Sequence, residues 1–256
     1  MSAASKSGWR AGLLRHGGRI LALLALCTLA LQLVFALRIA LMIVVDPQST
    51  TFQRSEAWRL LVEQQRIAWS QTWVDDDRLA PNLKRAVIAS EDAGFVDHAG
   101  FEWEAIEKAW SRNQRAIERA ERAQQRRPDK PVAARIVGGS TITQQLAKNL
   151  FLSGERHVAR KAQELLLALM LEALLDKRRI LEIYLNNVEW GEGVFGAQAA
   201  ARHYFRTDAA RLSAPQAAQL AVMLPAPKRF ERRPHSPYVI GRASTIVARM
   251  GAVQLP

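Results

Sequence analysis

Three polar segments stand out in a chain that is otherwise 49% hydrophobic. The first, SEDAGFVDHAGF at 90–101, sets two adjacent acids beside a histidine, two glycines and two phenylalanines. Pro81 suits a first helical turn, and Leu83, Val87 and Glu91 follow on one stripe of the helix it would open. Glu91 then falls near the helix C-terminus, where the macrodipole opposes negative charge and strengthens a carboxylate as a base. A helix-ending turn with solvated acids explains this segment, taken alone, equally well.

The second segment is GGSTITQQLAKN at 138–149. Two glycines permit close backbone approach, and the free N–H groups of the helix start behind them form a natural anion site. Ser140 or Thr141 can cap that helix, Thr141 and Gln144 fit a capping box, and Ile142, Leu146 and Leu150 make its apolar face. Thr141, Gln145 and Lys148 form a separate stripe of hydroxyl, amide and ammonium, suited to a pyrophosphate and sugar hydroxyls. An ordinary exposed face explains this spacing, but not the glycine pair with three hydroxyl residues.

The third segment is RHVARKAQE at 156–164. Arg160 and Glu164 lie one helical turn apart, and as a surface pair they would contribute only a few tenths of a kcal/mol. The functional alternative is a phosphate-binding cluster of Arg156, Arg160 and Lys161, with Glu164 as a second carboxylate. Two separated carboxylates, a basic cluster and a glycine-led helix start point to glycosyl or phosphoryl chemistry. GEGVFG at 191–196 matches G-x-G-x-x-G, but it follows a helical pattern and no βαβ unit is visible. A turn between helices is expected there. Asp75, Asp76 and Asp77 read as a solvated loop rather than a metal site.

The elements that must position these residues read as helices almost throughout. One is expected over 55–70 with Trp58, Leu61, Val62 and Trp69 as a loose apolar face. Others cover 157–175, the stretch from an Asp176 cap to Leu185, 196–205 and 213–224. Runs of alternating β-branched residues are scarce, so the fold class is mostly α with at most a small β element. At 112–135, eight basic residues face three acids, which reads as a solvated helix and a mobile segment with incidental attraction to anionic lipid.

The net charge of +12 favours a polyanionic partner: nucleic acid, an anionic membrane surface or a phosphorylated substrate. Cys27 is the only cysteine, so no intrachain disulfide can form. Residues 1–45 carry five basic side chains and no acid, and 20–37 is an almost unbroken apolar run. At about 1.5 Å per residue that run covers roughly 27 Å, enough to cross a thin bilayer. A cleaved signal peptide is the rival reading, but the run is long and no small-x-small site ends it. The expected organisation is a cytoplasmic basic tail (1–19), a transmembrane anchor (20–45) and an extracytoplasmic domain (46–256).

Together these segments resemble the biosynthetic peptidoglycan glycosyltransferases, both the monofunctional enzymes and the matching domain of class A penicillin-binding proteins. The resemblance rests, in order, on EDAGFVDHAGF, GGSTITQQLAKN, RKAQE (160–164), KRRILEIYLN (177–186) and WGEGVFGAQAAARHYF (190–205), and spans about 73–230. It implies a lysozyme-like, two-lobed, mostly helical domain at the membrane, acting on lipid II. Glu91 matches the base that deprotonates the acceptor 4-hydroxyl, and Glu164 matches the second glutamate. Lys148, Arg156, Arg160 and Lys161 match the basic positions at the leaving pyrophosphate, and Ser140, Thr141 and Gln145 match polar cleft positions. The basic stretch between the first two motifs is longer than the family pattern.

No resident cofactor or metal site is legible, although a divalent cation at the pyrophosphate fits the chemistry. The expected partners are lipid II, the growing glycan, the bacterial inner membrane, and cell-wall synthesis and division proteins; nucleic acid is not among them. No S-x-x-K occurs, so no transpeptidase module is expected. Two rival classes remain: a lysozyme-like peptidoglycan-cleaving enzyme, for which the basic cluster has no task, and a basic scaffold, which leaves the carboxylate motifs without one.

Overall fold

A computed structural model describes residues 3–126, 139–152 and 158–256. The chain divides into two units, Met1–Val45 and Asp46–Pro256. The first is helix α1 (Ala3–Leu41), whose stretch His16–Leu41 has a mean hydropathy of 2.6. Its 26 residues give about 39 Å of helix, more than the roughly 30 Å of a bilayer core. The apolar sequence outruns the helix: Met42 N donates to Ile39 O and Val45 N to Leu41 O, closing turns instead of continuing α1.

The second unit is mostly helical, as expected. It comprises α2 (Thr51–Gln64), α3 (Pro81–Glu91), α4 (Trp103–Arg126), α5 (Ile142–Phe151), α6 (Val158–Leu174), α7 (Lys177–Asn187), α8 (Ala197–Phe205), α9 (Ala214–Met223), α10 (Pro227–Phe230) and α11 (Pro237–Met250). Helix α3 packs on α9 and α11, while α5 packs on α2, α6 and α7. Leu83, Val87 and Ile88 of α3 are buried with Leu220 of α9 and Ile246 of α11. Ile142, Leu146 and Leu150 of α5 are buried with Leu167 and Leu171 of α6 and Ile180 and Ile183 of α7. Each such side chain contributes about 1.5–3 kcal/mol of burial.

The helix starts follow their local chemistry. Pro81 opens α3; Thr141 caps α5 by accepting from Gln144 N at 3.2 Å; Asp176 caps α7 by accepting from Arg179 N at 2.7 Å.

Three readings need correction. The segment at 191–196 is no plain turn: β2 (Glu189–Gly191) and β3 (Val194–Phe195) form a hairpin, and β1 (Ser70–Gln71) pairs parallel to β3. Gly193 has φ +71°, and a β-carbon there would sit 2.0 Å from Ala68 O, so both the turn and the approach of β1 require glycine. Strands this short carry no readable alternation.

Helix α2 begins at Thr51, not Ser55, because Thr50 and Gln53 form a capping box, and it ends where Gln65 turns left-handed. Its buried side is Gln53, Glu56 and Leu60, while Trp58 and Val62 are exposed and Trp69 lies beyond the helix, stacked on Phe195. The apolar stripe thus faces outward, and polar side chains with distant partners face inward. Asp76 is likewise not solvated. It is buried between Lys84 (2.6 Å) and Arg178 (2.5 Å), while Asp75 and Asp77 on either side are exposed as expected.

Candidate active site

The last residue of α3 is Glu91, and the helix ends because Asp92 leaves helical geometry at its C-cap. Asp92 is buried and ties the first motif to the second. Its Oδ2 accepts from Ile142 N at the start of α5 (3.0 Å), and its Oδ1 lies 2.8 Å from His98 Nε2. Because Gly100 N donates to His98 Nδ1 at 3.1 Å, the ring carries its proton on Nε2 and donates it to Asp92. Thr141 Oγ1 closes the same joint by donating to Gly100 O at 2.7 Å. Gly100 has φ +86°, which favours glycine, and a β-carbon there would lie a tight 3.0 Å from Glu172 Cγ. On the far side, Lys177 Nζ donates to His98 O at 2.6 Å and pairs with Glu172 at 2.8 Å.

This joint sets Glu91 against α5. Gln145 Nε2 donates to Glu91 Oε2 at 3.0 Å, and Tyr184 Oη of α7 lies 3.0 Å from Gln145 Oε1. Burial raises the Glu91 pKa above the usual carboxylate range, with the Gln145 and Ser90 bonds pulling the other way. A carboxylate raised in this way is a stronger base once ionised.

Next to Glu91 lies a cavity of about 430 Å³. Ser140, Gln145 and Lys148 enter it from α5 and its approach, and Arg160, Lys161 and Glu164 from α6. Glu164 is buried, and both its oxygens are engaged, by Arg160 at 3.1 Å and by Lys161. The Arg160–Glu164 pair is therefore not the weak surface bridge that its spacing allowed. Lys148 lines the same cavity; its ammonium pKa is lowered, chiefly by desolvation among the cavity walls, against the attraction of Glu164.

Of the residues singled out by sequence, Ser140, Gln145, Lys148, Arg160, Lys161 and Glu164 share the cavity, and Glu91 joins it through Gln145. Thr141 is buried below it with its hydroxyl committed to the α5 cap and to Gly100. Arg156 lies outside the described residues. Sequence reasoning missed Tyr184 and one wall of the cavity, contributed by Phe52, Ser55 and Glu56 of α2. Tyr184 sits inside a quoted motif but on an apolar helix face, where it reads as core; α2 carried no polar signature that distinguishes it from a surface helix. Among the described residues, no group of three His, Cys, Asp or Glu side chains is placed to hold a metal ion.

A carboxylate at a helix end beside a cationic cavity is an arrangement suited to group transfer with an anionic leaving group. The sequence matches the transglycosylase family over residues 60–251. It is 49% identical over 235 residues to a biosynthetic peptidoglycan transglycosylase of Paraburkholderia xenovorans, covering 92% of this chain and 91% of that one. A protein of the same description from Burkholderia thailandensis is 53% identical over 229 residues (89% and 83% covered), and one from Bordetella pertussis 51% over 211 (82% of each). The chain belongs to the transglycosylase family, whose domain is lysozyme-like.

Proposed function

We propose that this protein joins lipid II units into β-1,4-linked glycan strands of peptidoglycan, with Glu91 as general base. Glu91 takes the proton of the acceptor 4-hydroxyl, and that oxygen attacks the donor anomeric carbon. The carbon–oxygen bond to the pyrophosphate breaks with inversion, and polyprenyl pyrophosphate leaves. Lys148, Arg160 and Lys161, with Arg156 by sequence, neutralise the departing charge, and such stabilisation is the largest single contribution in many enzymes. Glu164 holds Arg160 and Lys161 in place near the donor, and Ser140 and Gln145 face the sugars. Thr141 fixes the helix start on which they sit.

The observation that carries this reading is the hydrogen bond from Gln145 to Glu91 at the edge of the cationic cavity. The relatives' shared description supports the same reaction. A glycan-cleaving enzyme has no use for that cationic cluster, and a passive scaffold has none for a half-buried carboxylate held by Gln145. A divalent cation would be held here chiefly by the pyrophosphate oxygens, because both oxygens of Glu164 are engaged by Arg160 and Lys161.

The apolar stretch of α1 supports anchoring in the bacterial inner membrane, with residues 1–19 in the cytoplasm and 46–256 outside, where lipid II and cell-wall synthesis and division proteins are met. The test is incubation of purified protein and its Glu91→Gln variant with labelled lipid II. Polymer is expected from the first, and a rate lower by about 10²- to 10⁴-fold from a folded second. Near-normal polymerisation by Glu91→Gln would remove Glu91 as the base.

A further inference from the structure

The geometry points to Tyr184 as a positioning residue for the reaction: its hydroxyl fixes the orientation of the Gln145 amide, which in turn holds Glu91 ready to accept a proton. This inference rests on the reading of Glu91 as the base. It starts from a three-residue chain across three helices: Tyr184 Oη of α7, Gln145 Oε1 and Nε2 of α5, and Glu91 Oε2 of α3, with both links at 3.0 Å.

The direction of the chain follows from its end member. An ionised carboxylate can only accept, so Gln145 must turn its NH₂ toward Glu91 and its carbonyl toward Tyr184. That carbonyl can only accept, so Tyr184 must donate. Tyr184 can serve this role throughout the working pH range. It is 1% exposed, and burial first, then the charges of Glu91 and Asp92, hold its pKa well above the ordinary tyrosine value. The phenol therefore stays protonated beside a carboxylate that must not be.

Without the Tyr184 hydroxyl, the half-buried Gln145 carbonyl would lose its donor, and the amide would be free to turn over. Its carbonyl would then face Glu91 and accept a hydrogen bond from the protonated acid, favouring the form that cannot act as a base. The other groups facing Glu91 are Ser90 and Asp92 beside it, with Asp92 held by His98, and Lys148 on α5. None of them contacts the Gln145 carbonyl in the described bonds, so none substitutes for Tyr184.

The experiment measures kcat and KM for lipid II polymerisation against pH, for wild type, Tyr184→Phe, Gln145→Met and the double variant, with Glu91→Gln as control. Tyr184→Phe is expected to move the acidic limb of kcat upward by about one pH unit. KM and the plateau at higher pH should change by no more than about threefold, because the hydroxyl does not reach the cavity. Gln145→Met should shift the same limb, and adding Tyr184→Phe to it should shift it no further, since the chain is already broken. A merely structural tyrosine would lower the melting temperature and leave the limb in place. If Tyr184→Phe does not fold, an unmoved limb in Gln145→Met still overturns the inference. An inactive Glu91→Gln with an unmoved limb in Tyr184→Phe sinks only the relay; an active Glu91→Gln sinks the base itself.

Discussion

Helices α5 and α4 are both amphipathic, both carry polar stripes, and they use them in opposite ways. In α5, Ile142, Thr143, Gln144, Leu146, Ala147, Leu150 and Phe151 are all buried, and Gln145 stands between two helices with a partner on each side. In α4, no described side chain is buried, and Trp103 and Trp110 are 70% and 67% exposed. Arg122 and Glu118 along it form a loose 3.6 Å contact on the surface. Polar groups on α5 are placed by packed neighbours, whereas the described side chains of α4 lie at the surface. A charge does precise chemistry only in the first situation, where its position is fixed and water does not screen it.

Substitutions on the two helices can break this comparison. The largest stability effect is expected from Leu146→Ala, because Leu146 is 1% exposed against α6 and α7 and leaves a cavity on truncation. A loss of about 2–5 kcal/mol is expected in denaturant titration; a loss below about 1 kcal/mol would mean that α5 is not the packed wall described above. Next comes Lys148→Ala on the polar stripe of the same helix. It should lower the lipid II polymerisation rate by about 10²- to 10³-fold, with the melting temperature little changed. Neutralising Arg119 on α4, assayed in detergent, should leave that rate within about twofold. Equal losses from the two would show that overall charge, not placed charge, drives the reaction.

The same contrast explains what the sequence made legible. The cleft helices announced themselves because their signals are local: Pro81 and Thr141 sit next to the turns they open, and Glu91, Gln145 and Lys148 fall within short motifs. The misread elements depend on partners far away in the chain. Glu56 is held by Lys228, Gln53 by Asn187 and Asp76 by Arg178, so polar residues of α2 and of the acidic stretch turn inward with no local sign of it. Tyr184 was missed for the same reason. A tyrosine on an apolar helix face reads as core, and its hydroxyl gains meaning only once Gln145 is brought to it.

Placement also predicts a pH signature away from the cavity. Glu189 on β2 is buried, with Lys228 at 3.5 Å and Glu56 and Glu231 nearby, and burial pushes its pKa up to about 7. Because the folded protein binds this proton more tightly than the unfolded chain, the contribution to stability is complete below about pH 4.5. It is lost as pH rises through about 7. Glu189→Gln should therefore flatten the fall in stability between pH 5 and 8, by at most about 3 kcal/mol. Glu118→Gln on α4, an exposed site by comparison, should leave the profile unchanged. A wild-type melting temperature that is flat over this range would show that Lys228 keeps Glu189 ionised throughout.

The smallest effect, and the sharpest discriminator, belongs to Trp110. A tryptophan in the middle of a helix is ordinarily a large contribution to a core, and truncating one costs about 3–5 kcal/mol when it is buried. Trp110 is 67% exposed, and among the described residues α4 has no extensive contact with another helix. Trp110→Ala should thus change the unfolding free energy by no more than about 0.5 kcal/mol, even though it removes far more atoms than Leu146→Ala. The rate in detergent should also hold, since no atom of Trp110 lines the cavity. The measurement is denaturant unfolding of the two variants under identical conditions, read by circular dichroism so that the lost indole does not alter the probe. If Trp110→Ala destabilises the fold as much as Leu146→Ala does, α4 is packed rather than solvated, and the division between placed and solvated charge fails at its simplest point.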